Sequence, residues 1–298
     1  MLERFKVGTL RVLTRAMVAA NWWRARPSGV QVDDVSLQVD GGRIVLRCYR
    51  PGGDKPFPLL LFFHGGGWVS GDIGTHDALC RGLCLASGHL VVSVDYRLAP
   101  ERRFPTAFLD CRAALDWLHE QAPLLGGDPT RIRICGDSAG GNLAAAIVID
   151  AQRRRPGGID RQVLIYPVAD QPDSSRPSYV AYGGRGHALS GDAMQWLWRT
   201  YLGDRDLPEP GTPEHDWLMP LRVDDLQGLP PALILLAELD VLRDEGQAYA
   251  DRLCAAGVAT QIKLHPGQQH GFVGLKPSPA HRQAVAQIAD WLCCETAS

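Results

Sequence analysis

Residues 131–141 read Arg131-Ile132-Arg133-Ile134-Cys135-Gly136-Asp137-Ser138-Ala139-Gly140-Gly141, and the fold is decided by how they are understood. An apolar run with strand character enters a glycine-serine-glycine turn, and an alanine-rich helical run over 143–151 follows it. Gly136 and Gly140 remove side chains where a tight strand-to-helix turn forces the backbone close to itself. Ser138 is then held exposed at the apex, as a nucleophile must be. The same pentapeptide also arises in ordinary turns, because glycine and serine both populate them. Partners elsewhere in the chain must decide between the two.

Working outward, apolar runs at 59–63, 90–94, 131–135, 163–166, 232–237 and 260–264 alternate with helical stretches, including 107–119 and 143–151. Before them, 32–39 and 43–49 have strand character and are separated by Asp40-Gly41-Gly42, a hairpin signal. Eight strands are expected, antiparallel at the start and otherwise parallel, in an α/β fold with helices on both faces. Residues from about 170 to 226 break the alternation. They hold Pro, Gly, Trp196, Trp198 and Trp217 with one helical patch near 192–201, and read as a cap inserted in the sheet. An N-terminal segment, about 1–28, pairs with that insertion. No linker divides the 298 residues, so a single domain is expected over 1–298.

The formal charge is −2 and no basic stripe runs along the chain, which argues against nucleic acid and anionic substrates. Arg4, Lys6, Arg11, Arg15, Arg24 and Arg26 interrupt any signal-peptide core in the first 26 residues. Leu2, Phe5, Leu10, Leu13 and Met17 recur near helical spacing instead, which predicts an amphipathic helix. Its apolar face is assigned to packing over the protein's own pocket rather than to a membrane surface, and no stable membrane insertion is expected. The eight cysteines show no C-x-x-C pair and no metal-ligand spacing. They read as idle thiols in a reducing cytoplasm, without a disulfide framework and without a metal.

Parallel sheets place ligand sites beyond the carboxyl ends of their strands. His64-Gly65-Gly66-Gly67, Asp95-Tyr96-Arg97, Ser138, Asp240 and His270 all fall there. A serine hydroxyl needs a histidine to take its proton and an acid to orient that histidine. Of nine histidines, His270 is preferred because 266–272 reads as a flexible loop after the last strand, with His265 as the alternative. His76, His89, His119, His187, His215 and His281 read as surface or structural. Among the carboxylates of 238–245, Asp240 falls at a strand end, whereas Asp244 and Glu245 suit the first turn of a helix. Gly65, Gly66 and Ala139 are the candidate donors for an oxyanion hole, with Gly67 supporting the loop. A glycine run is also an ordinary flexible turn, and its place after the third strand is what favours the oxyanion reading.

These motifs resemble the bacterial hormone-sensitive lipase-like family of esterases, also called family IV lipolytic enzymes, in the α/β-hydrolase superfamily. The residues are His64-Gly65-Gly66-Gly67-Trp68, Asp95-Tyr96-Arg97-Leu98-Ala99-Pro100-Glu101, Gly136-Asp137-Ser138-Ala139-Gly140-Gly141, Asp240-Val241-Leu242 and His270-Gly271-Phe272, in the family's order. The family usually has proline where this chain has Val241. The resemblance implies a cap, a serine carboxylesterase acting on short- to medium-chain acyl esters without metal or organic cofactor, and a role for His64 in holding the oxyanion loop. It also implies homodimers through the last strand, about 260–264. Trp68 and Asp137 are assigned to the pocket, with Trp22, Trp23, Trp196 and Trp198 shared between pocket and core. Arg153-Arg154-Arg155, at a helix end, reads as complementing the helix dipole. An amidase with the same triad and a catalytically silent receptor of the same fold remain as rivals. His270 speaks against the receptor.

Overall fold

The six apolar runs and the two strand-like segments before them become eight strands of one sheet in a computed structural model that describes residues 2–54 and 56–294. They are β1 (Gln31–Val39), β2 (Gly42–Arg50), β3 (Phe57–Phe63), β4 (Leu90–Asp95), β5 (Gly127–Asp137), β6 (Arg161–Ile165), β7 (Ala232–Leu239) and β8 (Thr260–Gln269). Their order is β1-β2-β4-β3-β5-β6-β7-β8. Only β2 runs against its neighbours, so the antiparallel start is the β1–β2 hairpin and its junction with β4. Met1 and residues 295–298, the ends of the expected single domain, lie outside the described residues.

Central strands are covered on both faces, which is why they read as continuous apolar runs rather than as alternating ones. Along β3 the side chains part by the strand period: Leu59, Leu61 and Phe63 enter one core, Leu60 and Phe62 the other. The first core lies under α3 (Thr106–Leu125), α4 (Ala139–Arg154) and α8 (Arg243–Ala255). The second lies under α2 (Asp77–Ser87) and α9 (Pro279–Cys293).

Two boundaries differ from the sequence reading. α4 begins at Ala139, directly after the serine, although Gly140 and Gly141 are poor helix formers. Close packing of that first turn against the end of β3 outweighs their intrinsic preference. β8 continues to Gln269 instead of giving way to a loop at Pro266, with a register shift between Ala237 and Leu239 on β7. Pro266 is tolerated there because β8 is an edge strand, where a missing N–H need not break the ladder.

Residues 170–226 stay out of the sheet and form α5 (Pro177–Tyr182), α6 (Gly191–Leu202) and α7 (Pro213–Leu218). Ser190 and Thr212 cap α6 and α7 by accepting from Ala193 and His215 N–H. The N-terminal helix α1 (Leu2–Trp22) lies over the loop after β3, with Val7, Val18 and Trp22 buried beneath it. Arg11 donates to the carbonyls of Val69 (2.7 Å) and Ala99 (2.8 Å), and Arg26 pairs with Asp77 at 2.6 Å.

Candidate active site

Ser138 joins β5 to α4 with φ 55° and ψ −120°, in the left-handed region that a side chain ordinarily avoids. Its N–H donates to Ile165 C=O at 2.9 Å, and its C=O accepts from Asn142 (3.0 Å) and Val168 (3.2 Å). The turn is thereby pinned to β6 as well as to its own helix. A Cβ on Gly136 would lie 2.1 Å from Gly140 C=O, and one on Gly140 would lie 2.0 Å from Phe63 C=O. The two glycines are thus required by contact.

His270 directly follows β8. Its Nε2 lies 2.8 Å from Ser138 Oγ, and its Nδ1 lies 2.7 Å from Asp240 Oδ2. A carboxylate only accepts, so Nδ1–H donates to Asp240 and Nε2 is left to accept from the serine hydroxyl. Asp240 is buried at the end of β7, and its other oxygen accepts from Leu242 N–H at 3.0 Å. That bond closes the turn in which Val241 replaces the family's proline. Tyr166 covers His270 with ring centroids 4.6 Å apart. The alternative, His265, packs instead against Phe272 at 4.7 Å.

On the opposite side stands the glycine loop. Gly65 N–H donates to Asp137 Oδ1 at 2.8 Å, which corrects its expected place among the oxyanion donors. An amide committed to a buried carboxylate anchors the loop. Among the described residues the N–H groups of Gly66 and Gly67 have no acceptor, and Ala139 N–H, in the first turn of α4, has none within its helix. Gly66 has φ 121°, and a Cβ there would lie 2.2 Å from Ser70 C=O. His64 Nδ1–H donates to Gly65 C=O (2.9 Å), and its ring stacks on Tyr96 at 4.2 Å. Burial first, then the neighbouring His76, push the His64 imidazole down to about 4, so it is neutral at pH 7.

His76, one of the histidines read as surface or structural, is structural, and its hydrogen bonds lie within this site. Its Nε2 lies 3.2 Å from Asp137 Oδ1, and Thr75 Oγ1 meets its Nδ1 at 3.0 Å. Burial opposes its charge, yet the Asp137 carboxylate outweighs burial and raises its pKa above the usual imidazole value. Asp137, also buried, is held below the usual carboxylate range by His76 and by Gly65 N–H. The signal available in sequence was only proximity of Thr75-His76 to the glycine loop; the pairing with residue 137 is made through space.

Asp244 and Glu245 do lie in the first turn of α8, and they have a further use. Asp244 accepts from Ser178 N–H (2.7 Å) and the fully buried Glu245 from Ala169 N–H (3.0 Å), so both brace the entry to the 170–226 segment. Burial raises the Glu245 pKa well above the usual range. Arg153 and Arg154 stand in the last turn of α4, where cations complement the helix dipole, and also form ion pairs with Asp216 (2.7 Å) and Asp150 (2.6 Å).

Ser138, His270, Gly66 and Gly67 open into a cavity of about 320 Å³. Its apolar wall comes from Leu10 of α1, from Leu189, Met194, Trp196 and Leu197 of the inserted segment, and from Leu275. Trp68 does not line it, contrary to expectation: its ring is fully buried, stacked on Tyr201 at 4.5 Å and edge-on to Trp198 at 5.7 Å. A large aromatic next to a glycine loop found better cover in the core than at the mouth. Trp22 packs edge-on to His281 and donates to Gly274 C=O (3.1 Å), while Trp23 is 84% exposed. Asp137 borders the cavity, but its carboxylate is tied to Gly65 and His76.

A parallel sheet with a serine elbow between β5 and α4, an acid after β7 and a histidine after β8 defines an α/β hydrolase. The family described as alpha/beta hydrolase fold matches residues 60–274, and the chain belongs to that family, in its hormone-sensitive lipase-like branch. It is 43% identical over 251 residues to the carboxylic ester hydrolase LipN of Mycobacterium tuberculosis, a match covering 83% of this chain and 65% of that protein. With the ethyl acetate hydrolase of Pseudomonas putida it shares 40% identity over 250 residues, covering 81% and 76%. The solved esterase of Pyrobaculum calidifontis superposes with a TM-score of 0.90 at 39% identity, over 96% of this chain and 93% of that one. The chain thus spans just under two thirds of the first relative's length and about three quarters of the second's.

Proposed function

We propose that the chain is a serine carboxylesterase that hydrolyses short- to medium-chain acyl esters through an acyl-enzyme on Ser138. The class, carboxylic ester hydrolase, follows from family membership and from relatives named for that activity. The mechanism is supported above all by one observation: an unbroken relay of 2.7 and 2.8 Å from Asp240 through His270 to Ser138.

In the first step Ser138 Oγ attacks the ester carbonyl while its proton passes to His270 Nε2, and Asp240 stabilises the imidazolium so formed. The tetrahedral oxyanion is met by the free amides of Gly66, Gly67 and Ala139, already aimed before charge develops. His270 then returns the proton to the departing alcohol. Water, deprotonated by the same imidazole, attacks the acyl-enzyme and frees the acid. No step calls for a metal or an organic cofactor. α1 and the 170–226 segment serve as the cap, since both supply the apolar wall. Ester over amide is the reading favoured by relatives named for esters. Two copies are proposed to join through β8, whose outer edge has no strand partner among the described residues; light scattering on the purified chain checks this.

The decisive test joins fluorophosphonate labelling to a series of p-nitrophenyl esters from acetate to laurate. Labelling at Ser138 and a kcat/KM maximum between butyrate and octanoate are expected. Labelling that survives Ser138→Ala, or faster turnover of the matched amides, overturns the reading.

Asp137 and His76 are proposed to position the oxyanion loop rather than to touch substrate. His76→Gln is expected to lower kcat about 10–100-fold with KM little changed, because a displaced donor weakens transition-state binding alone. The raised His76 pKa gives stability that is full below the ordinary imidazole value and is lost as pH rises through the folded one. The lowered Asp137 pKa gives stability present above the ordinary carboxylate value and lost as pH falls through the folded one. Thermal melts across pH should therefore show the widest gap between wild type and variant inside that window, narrowing on both sides.

A further inference from the structure

α1 has two apolar faces, and the fold uses one. Val7, Val18 and Trp22 face the body, while Phe5, Val12, Leu13, Met17 and Trp23 are 73, 66, 62, 45 and 84% exposed. At about 100° per residue Phe5, Val12, Leu13 and Met17, with Thr9, Ala16 and Ala20 between them, form one stripe along a helix about 30 Å long, and Trp23 follows directly after its end. The stripe cannot roll inward. Arg11 and Arg26, the Arg15–Asp72 pair, and the bonds from Asn21 (3.0 Å) and Trp22 (3.1 Å) to the carbonyls of Leu275 and Gly274 fix the helix about its axis.

The charge pattern divides in the same way. Arg11, Arg15 and Arg26, on the inner flank, are consumed by Glu101, Asp72 and Asp77. Lys6 and Arg24, on the outer side, are exposed and make no ion pair among the described residues, whereas Arg4 falls on the inner side, where its charge acts on Glu101. Glu3 is the one acidic residue in the helix sequence. An exposed apolar stripe rimmed by unpaired cations, on a protein whose formal charge is −2, is a local pattern with a specific complement. A lipid surface offers anionic headgroups above an apolar layer, matching rim and stripe together. A second copy brought face to face on this helix would set cation against cation.

We propose that the outer face of α1 docks on anionic lipid surfaces, lying in the interface rather than crossing it. No helix among the described residues is long and apolar enough to span a membrane, as this mode requires. Leu10 and Thr14, on the flank of the same helix, line the cavity, so docking holds its mouth beside the lipid.

The test is co-sedimentation of the full chain with vesicles of phosphatidylglycerol and phosphatidylcholine, against phosphatidylcholine alone, at low and high salt. Binding is read without substrate, so the result is independent of the proposed activity. Wild type is expected to partition to the anionic vesicles and to be released by salt. A Phe5→Ser, Val12→Ser, Leu13→Ser variant should partition at least about tenfold less, and a Lys6→Glu, Arg24→Glu variant likewise. Both should keep the wild-type melting temperature and turnover of a soluble acetate ester. If the serine variant fails to fold, the charge variant alone decides. Absence of wild-type binding, equal binding by the folded variants, or a dimer in light scattering that the serine substitutions abolish would overturn the proposal.

Discussion

Ser138→Ala is expected to lower kcat for p-nitrophenyl butyrate about 10⁶-fold while leaving KM nearly unchanged, on the scale known for removal of a serine hydrolase's nucleophile. The hydroxyl oxygen is the only heavy atom removed. Leu10, Leu189 and Leu197, which shape the apolar wall, stay in place, so ground-state binding persists. Asp240→Asn should cost less, about 10⁴-fold, because the amide keeps the geometry but favours the wrong imidazole tautomer. Its carbonyl oxygen can still accept from Leu242 N–H, so folding is not the cause of the loss. Combining Ser138→Ala with His270→Ala should lower the rate no further than Ser138→Ala alone, since the two act as one unit. Steady-state rates of the four proteins, with circular dichroism to establish folding, check the set. A Ser138→Ala rate within about tenfold of wild type would remove the acyl-enzyme from the mechanism.

Such a prediction can be made because most of the site was readable in one dimension. In a parallel sheet the ends of successive strands converge, so Ser138, Asp240 and His270 needed only to be placed after their strands. The eight strands were visible because central positions such as Leu59–Phe63 are buried on both faces and therefore unbroken by polar residues. What escaped depended on contacts across the sheet. His76 meets Asp137 across 61 residues of chain, and nothing in the local pattern around 76 announces a buried carboxylate partner. Strand order escaped for the same reason, since β4 lies between β2 and β3 through a crossover that periodicity does not encode. Trp68 was misplaced because composition says that an aromatic will be covered, not which partner covers it. Tyr201 and Trp198, from the inserted segment, decided that. The Gly65 amide is not free as a donor because Asp137, which the sequence places in the serine motif and the pocket, reaches across to take it.

The same close contacts leave the elbow no room for a side chain, and Gly140→Ala should expose this. The added methyl would stand 2.0 Å from Phe63 C=O and 2.6 Å from His64 C=O, where real Cβ atoms do not approach within 3.0 Å. Both obstacles are backbone atoms at the carboxyl end of β3, so no side chain can swing aside. Either α4 lifts from the sheet, which draws Ser138 away from His270, or the end of β3 moves and takes the His64–Gly67 loop with it. Overpacking without an escape route is among the few single changes that cost more than about 4 kcal/mol. For a domain of this size a loss of that order lowers the melting temperature by about 6 °C or more. Gly8→Ala is the matched control, because it adds the same methyl within α1 where nothing lies within 4 Å. It should leave stability unchanged or raise it by about 0.5–1 kcal/mol through helix propensity. Calorimetric melts of both variants distinguish contact from composition, and any folded Gly140→Ala fraction should have lost kcat. A Gly140→Ala protein that melts with wild type would mean that the elbow yields, and that Ser138 is held by something other than the packing of α4 on β3.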